Sequence, residues 1–384
     1  LDIDMAGAVK TETDTIWTSN DGDITIADNV TGDFDLTTAS PNGTTSLNAV
    51  DVDQLTMTGD AAELHGNITS DDAADILSAG GLATIVNDIT IDTTGNNGAL
   101  NLGDIDGAND LIVTAGTGAV DLRDGDIASL IVTSGGATTF QGNFATLDQV
   151  DVDSGTITLN AAGTINAGDT VNLDATAGNL TTEGAITGVN DVTITATRGD
   201  DTDLEVEINA AVESSAGNVA ISATETADGA ALVDVNADVS GATVALRADN
   251  ESGVEDATVT IANSNNRLGS TTVTAEQSGT GSGDTIATVD GATVADEAFT
   301  ANAAEINVEN TLTTGHGDID LNATDVLEIN AVLLAGEDLH LDGDNALRAN
   351  LVQHVGQHVS DLFVVGCNRG HLGHLLPAFD AVGI

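Results

Sequence analysis

The sequence contains few basic and aromatic residues, few prolines and a single cysteine. Lys and Arg together number 7 in 384 residues, and there are 1 Trp, no Tyr, 2 Pro and 1 Cys. Because wide globular cores use aromatic rings to fill their volume, this composition favours a thin core of Ala, Val, Ile and Leu. One cysteine excludes an intramolecular disulfide. No apolar run reaches about 18 residues, so the sequence predicts no transmembrane helix.

Acidic residues dominate the charge of the chain. Asp and Glu number 62, which gives a formal net charge of −55 at pH 7. A field of this sign repels nucleic acids and anionic membrane surfaces, so nucleic-acid binding is excluded as a function. Hydrophobic residues make up 41% of the chain, which is enough for a folded core. Because the self-repulsion weakens as salt shortens the Debye length to about 8 Å or less, we expect a saline or Ca²⁺-containing environment.

Short segments that alternate apolar and polar residues recur along the chain. Leu111–Gly116 recurs as Leu130–Gly135, an offset of 19, and similar segments begin at Val192, Val219 and Val244, 27 and 25 residues apart. The period of two indicates strands with Thr, Asp and Asn facing outward. Repeats of about 19–27 residues predict an all-β solenoid with two or three strands per coil. A β-sandwich or a string of immunoglobulin-like domains is the alternative, but such domains ordinarily each contain a core Trp.

The strand repeats resemble those of very large bacterial surface proteins. The stretches that carry this resemblance are Ala108–Leu122, Leu130–Thr139 and Asp169–Leu180. They are similar to the repeats of filamentous-haemagglutinin-type adhesins and autotransporter passengers, and the resemblance covers roughly residues 15–348. It implies a right-handed parallel β-helix, secretion and adhesion. We therefore expect an extracellular or outer-membrane-associated protein of a bacterium in a saline environment.

The composition of the chain changes after about residue 350. Residues 351–384 hold four of the seven histidines and the only Cys, but only Asp361 and Asp380 as acids. We therefore expect a β-solenoid repeat domain over residues 1–350 and a short irregular or helical C-terminal tail over residues 351–384. The tail is a cap or linker, out-of-frame sequence, or a functional module. The chain begins at Leu1 with neither an initiator Met nor signal-peptide features, which predicts a fragment, a domain or a mature form.

The tail contains residue types that bind zinc. His354 and His358 are four residues apart, so a helix would place them on one face. Cys367, His371 and His374 follow in the sequence. Zinc accepts these ligand types in tetrahedral geometry, although the spacing matches no standard zinc finger. These five residues are therefore candidate zinc ligands.

Acidic turns provide candidate calcium ligands. Ca²⁺ takes six to eight oxygen ligands, and two carboxylates in one tight turn supply some of them. Neither the EF-hand pattern nor the glycine-rich nonapeptide of calcium-binding β-rolls is present, and solvated turn carboxylates are the alternative. We expect Ca²⁺ as an optional ion and no required cofactor. The candidate pairs are Asp21 with Asp23, Asp104 with Asp106, and Asp342 with Asp344.

No pattern in the sequence indicates catalysis. Acids occur throughout, so no pair stands out as a general acid and base, and the few basic residues are scattered. Nucleophile, phosphate-loop and dinucleotide motifs are absent from the sequence. The tripeptide Arg198–Asp200 matches an integrin-binding motif, but it is short enough to arise by chance.

The function expected from the sequence is structural or adhesive rather than enzymatic. The chain is predicted to be a fragment of a secreted or cell-surface adhesin or structural protein, an acidic rod that mediates adhesion or the formation of a matrix or filament. Its expected partners are a host-cell, carbohydrate or matrix surface, or further copies of itself. The alternatives are a filament or surface-layer subunit, a phage or viral fibre, and a carbohydrate-active β-helix enzyme.

Overall fold

The computed structural model of this chain describes residues 1–262, 266–278, 283–295, 297–343, 346–349 and 362–365. The described residues form 41 β-strands and no helix. Parallel strands stack into a β-solenoid of about 16 coils, which confirms the predicted fold class. The chain forms two compact units, one of residues 1–197 and 209–216, the other of residues 198–208 and the described residues from 217 onward.

The first unit contains 26 of the strands, of which β25 extends one residue beyond it. They are β1 (Ile3–Met5), β2 (Val9–Lys10), β3 (Thr15–Thr18), β4 (Ile24–Ile26), β5 (Val30–Thr31), β6 (Leu36–Leu47), β7 (Val50–Val52), β8 (Leu55–Leu64), β9 (Ile68–Ser70), β10 (Ala74–Ile76), β11 (Leu82–Ile85), β12 (Ile89–Asp92) and β13 (Leu100–Leu102). The others are β14 (Asp104–Asp106), β15 (Asp110–Thr114), β16 (Val120–Leu122), β17 (Gly125–Ile127), β18 (Ser129–Phe140), β19 (Asn143–Thr146), β20 (Val150–Leu159), β21 (Thr164–Ala167), β22 (Val171–Ala175), β23 (Leu180–Thr182), β24 (Ile186–Gly188), β25 (Val192–Arg198) and β27 (Val212–Ser214).

The second unit contains the remaining strands. They are β26 (Leu204–Ile208), β28 (Val219–Glu225), β29 (Ala231–Val235), β30 (Val239–Asn250), β31 (Ala257–Ile261), β32 (Asn266–Gln277), β33 (Thr285–Val289), β34 (Thr293–Ala295), β35 (Phe299–Val308), β36 (Leu312–Thr314), β37 (Ile319–Ile329), β38 (Leu333–Leu334), β39 (Leu339–Gly343), β40 (Ala346–Ala349) and β41 (Leu362–Val365).

Each coil of the first unit contributes one strand segment to each of three parallel sheets. In one coil, β14 lies on the first sheet, β15 on the second and β16 on the third, and they pair with β17 and the two halves of β18. On the second sheet Leu111 pairs with Leu130, so the offset of 19 in the sequence is the register of the sheet. Long strands such as β18 continue from one sheet to the next, with a shift in register between Ser134 and Ala137.

The first coils of the second unit are longer than most coils of the first unit, whereas later coils return to an offset of 20 between Phe299 and Ile319. Val219 pairs with Val244 at the predicted offset of 25, and the offset reaches 29 between Val239 and Leu268, beyond the predicted range. Much of the extra length lies between the second and third strands of a coil. There β28 ends at Glu225 and the next strand, β29, begins six residues later.

The core consists of the inward side chains of each coil, stacked on those of the next. Alternate residues of the strands are buried, as the period of two predicts. Most stacks bury Val, Leu, Ile or Ala against the same kind of residue one coil away, which completes the apolar interior, and a few include a buried Thr, Ser or Phe. Among the residues that the structure describes, one pair of aromatic rings is in contact, Phe140 with Phe144, edge to face with centroids 5.8 Å apart. One aliphatic stack in the core consists of Leu111, Leu130, Val150 and Val171 from four successive coils, each at most 1% exposed.

Gly98 lies where two coils approach too closely for a side chain. A Cβ atom on Gly98 would lie 0.7 Å from the carbonyl oxygen of Asp72, in the preceding coil. The Gly98 N–H also donates to the carbonyl of Thr93 at 2.9 Å, which holds the turn in this position. Glycine is therefore required here by sterics rather than by a left-handed backbone.

Gly98→Ala is expected to lower the free energy of unfolding by about 3 kcal/mol, because an overpacked methyl group must displace backbone. Gly7→Ala is the matched control in the same unit, since no heavy atom lies within 4 Å of the position of its Cβ. That control should change stability by less than about 0.5 kcal/mol. Urea denaturation followed by circular dichroism measures both variants. Equal midpoints for the two variants would contradict the close approach.

Candidate functional site

Aspartate side chains at the starts of strands accept backbone N–H groups from the next coil. Asp23 Oδ1 accepts the N–H of Thr44 at 2.8 Å, and Asp124 Oδ1 accepts the N–H of Asn143 at 2.6 Å. Thr44 lies within the long strand β6, and Asn143 is the first residue of β19. A backbone N–H left without a partner is costly where the coils pack together, so these carboxylates stabilise the coil contacts. Asp2, Asp14, Asp88, Asp203, Asp256 and Asp318 make the same type of bond. Some of the aspartates of the chain therefore stabilise the fold through these hydrogen bonds.

The candidate calcium ligands lie at separate places on the coils. Asp21 and Asp23 are exposed in the turn before β4. Asp104 and Asp106 lie on the outward side of β14, and Asp342 lies near the end of β39. Asp342 Oδ1 is buried and has no hydrogen-bond partner among the described residues. Asp344 lies outside the described residues, as do the zinc candidates His354, His358, Cys367, His371 and His374.

One group of three metal-ligating side chains occurs among the described residues, and it contains none of the predicted ligands. It consists of Asp318, Asp320 and His340, whose ligand atoms lie within 4.8 Å of one another. Asp320 and His340 face each other on β37 and β39, with Asp320 Oδ1 2.5 Å from His340 Nδ1. The two aspartates share one side of β37 through the period of two. Asp318 Oδ1 also accepts the N–H of Asp338, so this carboxylate has a role in the fold.

Like charges face each other on the outward side of the second sheet of the first unit. Asp153 lies opposite Asp174, and Asp151 lies opposite Asn172. The Asn172 amide donates to Asp151 Oδ1 at 2.8 Å, and the Asp174 carboxylate accepts from Thr195. Burial, and then the charges of Asp174 and Asp151, raise the pKa of Asp153. The stacked carboxylates therefore repel across adjacent coils.

Asp153→Asn is expected to raise the melting temperature at pH 7, because an amide facing Asp174 can donate where two carboxylates repelled. The folded pKa of Asp153 lies above the ordinary value of 3.8, so the wild-type carboxylate destabilises the fold increasingly as pH rises through that raised pKa. The gain should therefore disappear below about pH 3.8. Asp151→Asn should give a smaller gain, because its charge raises the pKa of Asp153 less than that of Asp174 does and because Asp151 already accepts from Asn172. A gain of equal size at both pH values would contradict the electrostatic explanation.

The same kind of repulsion occurs at other positions in both units. Burial, followed by the charges of Asp234 and Glu207, raises the pKa of Glu205 in β26. In the first unit, partial removal from water and then the charge of Asp72 raise the pKa of Asp53, where aspartates of successive coils stack at one corner. A surface of this kind favours bound cations and high ionic strength.

A polar corner lies inside the second unit, in the long connections between second and third strands. At its centre Asn250 is fully buried at 0% exposure. Its Nδ2 donates to the carbonyls of Gly229 and Glu255, both at 2.9 Å. Its Oδ1 accepts from the Gly253 N–H at 2.7 Å and from the Ser252 hydroxyl at 2.8 Å. One side chain thus joins the connections of two consecutive coils.

An ion-pair network adjoins Asn250 in this corner. Arg247 Nη2 lies 2.7 Å from Asp249 Oδ2, and Arg247 Nε donates to Glu276 at 2.7 Å. Asp249 is only 1% exposed and also accepts from the Ser278 hydroxyl at 3.0 Å. Burial lowers the pKa of Arg247, but the hydrogen bond to Glu276 and the nearby carboxylates outweigh it, so the pKa is raised. The network fixes the corner in one geometry.

Glu225 ends strand β28 with its side chain inside the same corner. It is 0% exposed, and its Oε1 accepts the N–H of Ala227 at 2.8 Å, while Oε2 has no hydrogen-bond partner among the described residues. Burial is the main cause that raises the pKa of Glu225. The alternation of apolar and polar residues in β28 did not reveal Glu225 as a buried acid, because Glu225 continues the inward spacing of the apolar residues before it.

The residues of the integrin-type tripeptide bind each other. Arg198 Nε lies 2.8 Å from Asp200 Oδ1, and the Thr202 N–H donates to the same carboxylate at 3.0 Å. The hydrogen bond from the Thr202 hydroxyl, and then those of the Thr202 backbone and Arg198, lower the pKa of Asp200. The tripeptide therefore forms a local turn in which its two charges are already paired.

Comparison with protein-family models, curated proteins and solved structures finds no match to this chain. Among the residues that the structure describes, no helix is long and apolar enough to cross a membrane.

Proposed function

We propose that this chain is a non-enzymatic part of a secreted or cell-surface adhesin or structural protein. The observation that supports the proposal is the repetition of polar side chains on the outward side of the sheets. Asp151, Asn172 and Thr193, for example, occupy one position in three successive coils. Repeated weak contacts with a surface add through avidity, so no single strong site is required. The proposed partners are a host-cell, carbohydrate or matrix surface, or further copies of the chain.

The proposal includes an extracellular setting at a bacterial surface in saline or Ca²⁺-containing surroundings. The stacked carboxylates around Asp53, Asp153 and Glu205 support it, because dissolved cations reduce the repulsion among them. Under this proposal Ca²⁺ acts over the whole acidic surface as a neutralising ion. It is not a cofactor for chemistry.

Adhesion of protein-coated beads tests the proposal. Beads that carry the purified chain at several densities are applied to cultured cells, mucin, collagen and polysaccharide films in buffer with NaCl and Ca²⁺. Adhesion should rise more steeply than in proportion to the coating density, because many weak contacts act together. Beads coated with poly-aspartate at equal charge are the control for non-specific attraction.

Two results would contradict the proposal. One is adhesion no greater than that of poly-aspartate beads on every surface, together with no Ca²⁺-dependent self-association in sedimentation. The other is release of new reducing ends from a polysaccharide by the purified chain, which would favour the carbohydrate-active enzyme.

A further inference from the structure

A polar cleft of about 690 Å³ lies in the first unit, where the third sheet turns into the first. Its lining includes Ser78, Asn101, Asp104, Asp121, Arg123 and Gln141. Asn101 and Asp121 face outward from β13 and β16, Asp104 begins β14, and Ser78, Arg123 and Gln141 lie in the corners beside these strands. Clefts of roughly 300–1,000 Å³ accommodate small ligands.

Asn101 and Asp121, which face each other on adjacent strands in the cleft, form no hydrogen bond to each other, unlike the equivalent pair on the second sheet. Asn101 lies directly opposite Asp121, in the same relation as Asn172 and Asp151 on the second sheet. Asn172 donates to Asp151 at 2.8 Å, whereas neither Asn101 nor Asp121 makes a side-chain hydrogen bond within the described part of the chain. An amide and a carboxylate able to pair with each other are therefore both available to a ligand.

Arg123 has no structural partner. It is one of two basic residues in residues 1–197, the other being Lys10, in a chain with a net charge of −55. Its side chain is exposed and forms no ion pair with any described residue, although Asp121 and Asp124 flank it in the sequence. The fold does not use this guanidinium, which leaves its five N–H donors free at the cleft.

One wall of the cleft is a strained and well-fixed turn. Leu77, next to Ser78, has a φ of 53° while only 1% exposed, a conformation that costs a non-glycine residue about 1–2 kcal/mol. The Leu77 N–H donates to Met57, and its carbonyl accepts from Gly80. Gly103 of the next coil packs on the turn, since a Cβ there would lie 2.4 Å from the Leu77 oxygen. Rigid walls of this kind reduce the entropy lost when a ligand binds.

We infer that this cleft binds a short neutral oligosaccharide. The inference rests on the proposed function and names a partner for it. Every sugar hydroxyl both donates and accepts a hydrogen bond, and the lining offers acceptors at Asp104 and Asp121, donors at Arg123, and both at the amide of Asn101. Gln141 adds its amide N–H groups, since its Oε1 already accepts from Asn160 at 2.7 Å. The acidic field repels uronates and sulfated sugars. The lining also contains Asp124, whose Oδ1 accepts the Asn143 N–H, so carboxylates outnumber Arg123 and a cation is the competing occupant that the experiment must distinguish.

A printed array of neutral, sialylated and sulfated oligosaccharides identifies the ligand, and titration calorimetry with the best neutral glycan measures its Kd. Arg123→Ala and Asn101→Ala should each weaken binding at least tenfold. Asn172→Ala is the matched control, because it removes the same amide from a ladder outside the cleft, and it should leave Kd unchanged. The Asn101 and Arg123 side chains make no bond to the described protein, so melting temperatures should equal that of the wild type.

Three results would overturn the inference: no neutral glycan bound on the array, sulfated or sialylated glycans preferred to neutral ones, or a Kd that the Arg123 and Asn101 variants leave unchanged. Ca²⁺ uptake that Asp121→Asn abolishes, in the absence of any glycan binding, would reassign the cleft to a cation.

The bead assay separates failure of this inference from failure of the proposed function. If the wild-type beads adhere and no neutral glycan binds the cleft, the adhesive function stands and the cleft assignment falls. If a neutral glycan binds the cleft and the beads do not adhere to any surface, the assignment stands and the adhesive function falls.

Discussion

Replacing Asn250 with alanine is expected to lower the free energy of unfolding of the second unit by about 3 kcal/mol or more. The variant removes both donors and the acceptor of a fully buried amide. It leaves the Gly229 carbonyl and the Gly253 N–H without this partner, while the Glu255 carbonyl still accepts from Gln277 Nε2 at 3.1 Å. Each buried polar group left unsatisfied costs about 1–3 kcal/mol, and these groups lie in one packed corner. Urea denaturation of the whole chain, followed by circular dichroism, measures the change.

Asn322→Ala is the matched control for this prediction. Asn322 is an exposed ladder residue of the same unit, and its amide donates to Asn302 Oδ1 at 3.0 Å. Water replaces that partner when the side chain is removed, so the change should stay within about 0.5 kcal/mol. Equal losses in the two variants would show that Asn250 does not join the coils.

Asn250→Asp separates hydrogen bonding from packing, because the two side chains have nearly the same shape. The carboxylate keeps the acceptor but provides no donor for Gly229 and Glu255 at pH 7, and it places a charge beside Asp249. The variant should be as unstable as Asn250→Ala at pH 7. Part of the loss should return near pH 4, since a protonated carboxyl can donate once. No recovery on acidification would mean that the donor function of Asn250 is unimportant.

The repeat length of the solenoid can be predicted from the sequence, because it follows from short local patterns of residues. The alternation of apolar and polar residues identifies each strand. The recurrence of Leu111–Gly116 at Leu130 gives the register, since stacked coils pair like with like. The scarcity of aromatic residues correctly indicated a thin core, as the Val, Leu and Ile stacks show.

The role of aspartate was predicted only in part. The sequence assigned Asp23 to an acidic turn, as a candidate calcium ligand. Its carboxylate instead accepts an N–H 21 residues later, that of Thr44 in the next coil. Which residues of two coils meet depends on the length of every intervening turn, and short motifs do not contain that information. The calcium candidates were chosen from turn spacing alone, whereas Asp320 and His340 meet through the register of two strands.

The polar corner could not be read from the pattern of its strands. In β30 the run Ala248, Asp249 and Asn250 is buried at all three positions, which breaks the alternation. Asp249 would be read as an outward residue, but it accepts hydrogen bonds from Arg247 and from Ser278, which follows β32. The depth of that corner results from coils 25–29 residues long, so the burial follows from packing.

The stability of the whole chain should rise strongly with ionic strength. Between about 0.01 M and about 1 M NaCl the Debye length falls from about 30 Å to about 3 Å, which is shorter than the separation of adjacent coils. Burial and then the neighbouring charges raise the pKa of Asp153 and Glu205, and salt largely screens the contribution of those charges. We expect the melting temperature at pH 7 to rise by on the order of 10 °C over this range. Calorimetry or circular dichroism in a salt series measures it.

Acidification should act in the same direction as salt. The folded pKa values of Asp153, Glu205 and Glu225 lie above the ordinary values of 3.8 and 4.5. At pH values between the ordinary pKa and the raised folded pKa of each group, the unfolded chain therefore binds fewer protons than the folded chain. Stability falls as pH rises through this window. Melting temperature should thus increase from pH 7 toward about pH 4.5. Asp200, whose pKa is lowered, opposes this trend only at still lower pH, where its hydrogen bond to Thr202 is lost.

The two treatments should not add, because both remove the same repulsion. The rise in melting temperature produced by salt at pH 7 should shrink near pH 4.5, where the carboxylates with raised pKa are partly neutral. A general effect of salt on apolar burial would persist at both pH values, since it does not depend on charge. Equal increments at the two pH values would therefore contradict the electrostatic explanation. Unequal increments would connect the stacked carboxylates directly to the saline setting that the acidity of the chain predicts.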